Sequence, residues 1–315
     1  MTDLAAYTWT IPGLAVLFDL LLGDPRWLPH PVRLIGNLAD GFELLAQSAW
    51  SGLPGRLAGF FAAMALVVLV AVTVYALTSI GPAGFFVTLY LCYAGLALRC
   101  LLSEAGHVHR LLESGQLTEA KVALSMLVTR DTGSMTADEV RRSLAETVSE
   151  NLNDGFVAPF FWLCLGGPVV MWIYKTISTL DSMWGYKTEK YADFGWFAAK
   201  TDDILAWIPA RITALTMLVT GLIMKLDVRQ AFKYSLKDAV KMESPNAGYP
   251  MAFSAWLVGA QMGGPTMYFG EIKNKPVLGP QGEVWSAEKY SKLAWLVLMT
   301  GLLLACIGQM LLFFI

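Results

Sequence analysis

Residues 146–162 read "ETVSENLNDGFVAPFFW", an acidic, amide-rich stretch running straight into an apolar one. On a helix Glu146, Glu150 and Asp154 recur every four residues and share one face. Like charges in such a row repel by a few tenths of a kcal/mol per pair, so water or a cation should compensate them. The amide oxygens of Asn151 and Asn153 extend the set, and carboxylate with amide oxygen suits a hard cation such as a Mg²⁺ that also holds phosphates. A solvated helix face has the same spacing. The residues leave both readings open.

Other segments carry chemistry of the same kind. "RDTGS" (130–134) sets Arg130 and Asp131 beside hydroxyls and a glycine, as a phosphate loop or a plain turn would. Lys175 closes an apolar stretch, where snorkelling is the ordinary explanation. Asp181 lies between Leu180 and Met183 with no basic neighbour, and Lys187 follows in the same polar segment. "KTDDILAWIPAR" puts Asp202 and Asp203 at the mouth of an apolar run, with Arg211 about two turns inside it. A charge at that depth needs a partner or an aqueous cavity. Eight helical residues rise about 12 Å, so substrate or Asp181 suits Arg211 better than Asp203 does.

"SPNAGYP" (244–250) and "GGPTMYFGE" (263–271) are small, polar stretches in apolar surroundings. Ser244, Asn246 and Gly264 could let backbone amides approach a phosphate, with Tyr268 and Glu271 beside them; ordinary turns are the alternative. "DLLLGDPRWLPHPVRLIG" (19–36) holds Asp24, His30 and Arg33 in a loop stiffened by three prolines. His107 and His109, two apart, point in different directions on a helix and read as packing residues.

The elements that must position these groups are membrane helices. Of 315 residues, 56% are hydrophobic and only 15% charged, with mean hydropathy +0.52; a soluble domain carries about 25% charge. Leu57 to Leu98 is free of charge over 42 positions, broken midway by Gly81-Pro82. About 20 apolar residues cross a bilayer. The pattern predicts an all-α, polytopic integral membrane bundle forming a single membrane domain, 1–315. Its five spans fall near 57–79, 83–98, 155–174, 204–224 and 293–315. The polar loops 99–154, 175–203 and 225–292 should contain amphipathic helices. Segment 10–22 is short, carries Asp19, and reads as interfacial or partly buried.

"TADE" (136–139) is a capping box that starts the helix bearing the acidic row, which should end near Asn153-Asp154-Gly155. Loops 99–154 and 225–292 carry 15 Lys and Arg residues against 4 in 175–203, which places the two large loops in the cytoplasm if every span crosses. Gly166-Gly167-Pro168 and Pro209 interrupt two spans, so either could instead be a re-entrant hairpin.

Several classes are disfavoured. A net charge of −2 argues against a nucleic-acid surface. Cys92, Cys100, Cys164 and Cys306 show neither disulfide nor zinc spacing. HExxH, GxxxxGK[ST] and GxGxxG are all missing. No basic region or cleavage site marks a signal peptide, and no internal repeat suggests the paired halves of a transporter.

Taken together, "DLLLGDPRWLPHPVRLIG", "TRDTGSM", "SENLNDGFVAPFF", "YKTISTLDSMWGYK", "DDILAWIPAR", "SPNAGYP" and "GGPTMYFGE" resemble, in order, the adenosylcobinamide-phosphate synthase family, membrane enzymes of cobalamin biosynthesis. The likeness runs from residue 19 to about 279. Ser178 departs where the family has Asn, and Ala206-Trp207 where it often has Asn-Tyr. The resemblance implies ATP-dependent amide formation between a propionate of adenosylcobyric acid and aminopropanol or its O-phosphate, with Mg²⁺, through an acyl phosphate.

It further implies a multi-pass protein of a bacterial or archaeal inner membrane, with the lipid bilayer and other cobalamin-assembly membrane enzymes as partners. On this reading Glu146, Glu150 and Asp154 hold metal, aided by Asp181 and Asp203. Arg130, Asp131, Lys187, Ser244, Asn246 and Gly264 hold ATP. Lys175, Asp181, Asp203 and Arg211 act at the reacting groups, and Asp24, His30, Arg33, Tyr268 and Glu271 face substrate. The alternatives are a non-enzymatic sensory modulator of the same superfamily, or a transporter built around Arg211.

Overall fold

The computed structural model describes residues 9–25, 27–49, 52–268 and 270–314. In chain order the helices are α1 (Ile11–Leu22), α2 (Pro31–Ala49), α3 (Gly55–Thr78), α4 (Ala83–Ala94), α5 (Leu98–Glu113), α6 (Leu117–Ser125) and α7 (Ala137–Leu152). A π turn, Asn153–Val157, leads into α8 (Ala158–Trp184). Then come α9 (Trp196–Leu205), α10 (Trp207–Ile223), α11 (Val228–Ala239), α12 (Gly248–Val258), strands β1 (Met262–Tyr268) and β2 (Glu271–Leu278), and α13 (Ala287–Phe314).

Among the described residues, four helical stretches are long and apolar enough to cross a membrane: Gly55–Thr78, Ala83–Glu113, Ala137–Trp184 and Ala287–Phe314. The pair Trp196–Leu205 and Trp207–Ile223, bent by 42°, makes a fifth if it is one span. The protein is thus a polytopic helical membrane protein. Pro209 is not the break. It sits in the first turn of α10, where the missing N–H costs nothing, and the bend falls at Ala206. Gly167 (φ 71°, ψ −167°) kinks α8 ahead of Pro168, and the helix resumes to Trp184.

The chain folds into two compact units, each drawn from separated segments. The first comprises Met1–Ala97, Asp154–Ala206 and Ala305–Ile315. Here α3 buries a small-residue face, Gly59, Ala62 and Ala63 followed by Leu66, Val70 and Val74. Small residues let backbones approach closely in a membrane, where no hydrophobic effect draws helices together. A Cβ on Gly59 would lie only 1.9 Å from the Phe194 carbonyl oxygen. Leu57, Phe61, Val72 and Tyr75 face outward, as a lipid-exposed side requires. On α8, Trp172 is buried and donates its Nε1–H to the Leu91 carbonyl at 3.2 Å.

The second unit comprises Leu98–Asn153 and Trp207–Leu304. The capping box forms as its sequence dictates: the Glu139 N–H donates to Thr136 Oγ1 at 3.3 Å, and the Thr136 N–H to Glu139 Oε2 at 2.7 Å. The helix does not stop at Asn153-Asp154-Gly155 as expected; it widens into the π turn and continues. Against an all-helical expectation, β1 and β2 pair as an antiparallel hairpin, Tyr268 opposite Glu271, with a bulge between Met262 and Gly264. Asp238 fastens α11, α12 and the end of β2, accepting from Trp256 Nε1 (2.7 Å) and the Gly279 N–H (3.0 Å) and pairing with Lys241 Nζ at 2.6 Å.

Candidate functional site

In the first unit the charged groups gather around Lys175. It is half-buried on α8 next to the buried Tyr174, and its charge neighbours are Asp154, Asp24 and Asp202. Asp202 in turn has Asp154, Asp181 and Asp203 as charge neighbours. One ammonium therefore serves an excess of carboxylates. Asp202 Oδ1 is buried and has no hydrogen-bond partner among the described residues. Asp203 meets Lys200 at 3.4 Å.

Local geometry explains how these groups are held. Two tyrosines of α4 tie down the proline-stiffened loop, Tyr93 donating to the Gly23 carbonyl and Tyr90 to the Pro29 carbonyl. His30 Nδ1 accepts the Val32 N–H at 3.3 Å, so the neutral ring carries its proton on Nε2, 3.4 Å from Asp24 Oδ1. Gly185 leaves room for Asp181, since a Cβ there would lie 2.1 Å from Asp181 Oδ1. Arg33 and Lys187 are exposed.

The second unit builds a different centre. Arg130 Nη1 meets Glu146 Oε2 at 2.6 Å, and Glu146 Oε1 accepts the Gly263 N–H at 2.8 Å. Burial alone would lower the Arg130 pKa; the Glu146 carboxylate outweighs it and holds the pKa above its usual value. Lys275 and Arg130 are charge neighbours of Glu150, and both cations lie over the Tyr268 ring, at 5.2 and 5.9 Å. Arg142 donates to the Pro265 carbonyl at 3.2 Å. Beside Arg130 and Arg142 lies a cavity of about 130 Å³ that Ser134, Thr266 and Met267 also line, together with the carboxylates of Asp131 and Glu139. Asp131 and Glu139 are each engaged by a backbone N–H, which leaves the guanidiniums and hydroxyls to meet an anion such as phosphate.

Asp131 is occupied structurally: its N–H donates to the Met267 carbonyl and its Oδ2 accepts the Gly270 N–H at 2.8 Å. Glu271 is exposed on β2, and Gly264 is buried with φ 90°. Arg211 lies between two rings, 4.3 Å from the Trp207 centroid and 4.0 Å from that of Tyr249. Its Nη1 donates to Asn246 Oδ1 (2.8 Å) and the Trp207 carbonyl (2.9 Å). Ser244 Oγ accepts the Asn246 and Ala247 N–H groups, shaping the turn that presents Asn246.

The family model described as CobD/Cbib protein matches residues 12–297. The chain belongs to the CobD/Cbib family. A cobalamin biosynthesis protein CobD of Pelobacter propionicus is 40% identical over 305 residues, covering 95% of this chain and 94% of that one. Relatives of the same name from Streptococcus sanguinis (38% identical; 92% and 94% covered) and Listeria monocytogenes (37%; 88% and 89%) agree. No solved structure matches the chain.

In this CobD/Cbib protein the structure corrects one expectation. Among the described residues no three His, Cys, Asp or Glu side chains are grouped to hold a metal ion, so Glu146, Glu150 and Asp154 are not a three-carboxylate cage. Glu146 is committed to Arg130 and Gly263. Asp154 falls in the π turn, whose i→i+5 bonding departs from the four-residue register. Within its own unit Arg211 takes neutral partners, Asn246 and two aromatic faces. Asp202, Arg142, Lys275 and Tyr249 were absent from the sequence-derived site. "TDD" signals Asp202 only by adjacency to Asp203, Tyr249 lies within "SPNAGYP" without standing out in it, and Arg142 and Lys275 have no local signature.

Proposed function

We propose that this protein forms an amide between a propionate carboxylate of adenosylcobyric acid and aminopropanol or its O-phosphate, driven by ATP, in cobalamin biosynthesis. The observation that carries this reading is the match to the CobD/Cbib family along residues 12–297, with relatives named as cobalamin biosynthesis proteins. The two charged centres support it. A carboxylate is a poor acyl donor at neutral pH. Its oxygen takes the γ-phosphoryl group of ATP and releases ADP; the amine nitrogen then attacks the acyl carbon, phosphate leaves with the electron pair, and a base takes the amine proton.

The donor set fits a Mg²⁺ shared with phosphate better than an all-protein cage, because Asp202 offers an unpartnered buried oxygen beside Asp154 and Asp181. On this reading Asp202 meets a Mg²⁺ carried on the ATP phosphates, with Asp154 and Asp181 as nearby charges rather than a three-carboxylate set, and bound Mg²⁺ would neutralise phosphate charge. Lys175 holds anionic oxygen among them. Arg130 and Arg142 grip phosphate in the second unit's cavity. Arg211, whose Nη2 and Nε have no partner among the described residues, offers an edge suited to two parallel bonds with an oxyanion.

Protein purified in lipid nanodiscs tests the reading with cobyric acid, ATP, Mg²⁺ and each amine in turn. Mass spectrometry should detect the amide and one ADP for each amide formed. Folded protein that forms no amide with either amine overturns it.

A further inference from the structure

Helix α11 presents two rows of side chains that the reaction does not use. Phe232, Leu236 and Val240 recur every four residues and are 73%, 55% and 69% exposed. Arg229, Lys233, Lys237 and Lys241 recur at the same step and are exposed. At roughly 100° per residue, the apolar row lies between the buried face (Ala231, Ser235, Asp238, Ala239) and the basic row. Of the acids in this stretch, Asp227 caps the helix through the Gln230 N–H at 3.1 Å, and Asp238 is buried against Lys241. Arg229, Lys233 and Lys237 have no carboxylate partner among the described residues.

Position along the chain identifies the occupant. α11 begins within five residues of the end of α10, whose last apolar side chains, Leu222 and Ile223, are 64% and 61% exposed. With 12 residues it is too short to cross a bilayer. An exposed apolar row bordered by unpaired cations is the pattern of a helix lying in the membrane surface. The cations match anionic headgroups, and the long basic side chains can reach them while their stems stay on apolar surface.

We infer that α11 docks on the bilayer surface, placing Phe232, Leu236 and Val240 among acyl chains and Arg229, Lys233 and Lys237 on anionic phospholipid headgroups. Docking there holds the α10–α11 corner, and with it the α12 side that carries Tyr249, at a set depth. This follows from the surface of α11 alone and does not depend on the proposed reaction.

The test uses the full chain in nanodiscs of phosphatidylcholine alone or mixed equally with phosphatidylglycerol. Leu236→Cys, in a background with Cys100, Cys164 and Cys306 changed to Ser, carries a fluorophore read by brominated lipids and by aqueous acrylamide. The label should be quenched by brominated lipid, more strongly in anionic discs, and high salt should reduce the difference. Lys233→Gln with Lys237→Gln should abolish the anionic preference. Hydrogen exchange of the unmodified protein provides a second measurement: amides 228–240 should slow in anionic discs, roughly fivefold per engaged charge. A label open to acrylamide in both discs, or shielded from both quenchers as beneath a protein partner, overturns the inference. So does exchange that is indifferent to lipid charge.

Discussion

Arg130 and Glu146 form a buried ion pair 2.6 Å long, with side chains 6% and 0% exposed, and the second Glu146 oxygen receives the Gly263 N–H. The pair joins the 130–134 loop, helix α7 and the start of β1 at one carboxylate. Removing one partner of such a pair leaves a buried charge without compensation, at a cost of about 3–5 kcal/mol. Arg130→Met and Glu146→Leu should each lower thermal stability in detergent by that order. The double variant should recover most of the loss, because two apolar side chains leave no charge stranded. Single variants within about 0.5 kcal/mol of the parent, the range of an ordinary surface change, would show that the pair does not hold this corner together.

Gly263 and Gly264 both have positive φ, 78° and 90°, yet differ in surroundings. A Cβ on Gly263 would lie 1.9 Å from the Pro276 carbonyl oxygen, a backbone atom that cannot step aside, whereas one on Gly264 comes no closer than 3.6 Å to Arg142 Nη1. Gly264→Ala should cost only the strain of the left-handed conformation, roughly 1–3 kcal/mol. Gly263→Ala adds a steric clash and should part the hairpin. Limited proteolysis near residue 270 checks it: rapid cleavage is expected for Gly263→Ala and little change for Gly264→Ala.

Arg211 is a planar cation held between Trp207 and Tyr249. Lysine keeps the charge but loses both the stacking and the two-pronged edge. Arg211→Lys should insert normally and lower kcat by about 10²–10³-fold, the loss seen when one donor to a developing charge is removed. Tyr249→Leu takes away one ring and should cost about 0.5–2 kcal/mol of binding, seen mainly in KM. Full activity in Arg211→Lys would reduce the residue to an anchor.

Asp202 separates function from stability. Its unpartnered oxygen is a burden on the folded state, so Asp202→Asn should leave the melting temperature unchanged or higher. The same change should weaken apparent Mg²⁺ affinity, as should Asp154→Asn. Titration of activity with Mg²⁺, beside thermal unfolding of the same samples, distinguishes the outcomes. If Asp202→Asn destabilises the protein and leaves the Mg²⁺ dependence untouched, Asp202 is a packing residue.

Removing the ammonium has the opposite signature. Lys175→Met leaves Asp154, Asp24 and Asp202 without their shared cation, and stability should fall steeply at neutral pH and recover in acid as the carboxylates protonate. A melting temperature that does not respond to pH would place those carboxylates too far away to feel Lys175.

What the sequence determined by itself rests on signals that act within a helical turn or along a span. The charge-free run from Leu57 to Leu98 must leave water wherever it packs, and it becomes α3 and α4 with the start of α5. Thr136 and Glu139 form their capping box because both partners sit on one turn. Asp181 and Arg211 were also legible as charges with no ordinary reason to lie near a span, whereas Lys175 read as a snorkelling cation and Asp24 stood out only for its proline-stiffened loop. Tertiary structure alone decided which charges meet. Asp24, Asp154 and Asp202 come to Lys175 from three separate segments, and Arg130 finds Glu146 across 16 positions. The hairpin was hidden because "EIKNKPVL" is polar, contains a proline and has no alternating apolar face; it becomes a strand only when β1 supplies its hydrogen bonds. A helix register or a cap is set by neighbours a turn away, whereas an ion pair or a strand pairing depends on where packing brings distant backbone, and no local pattern encodes that distance.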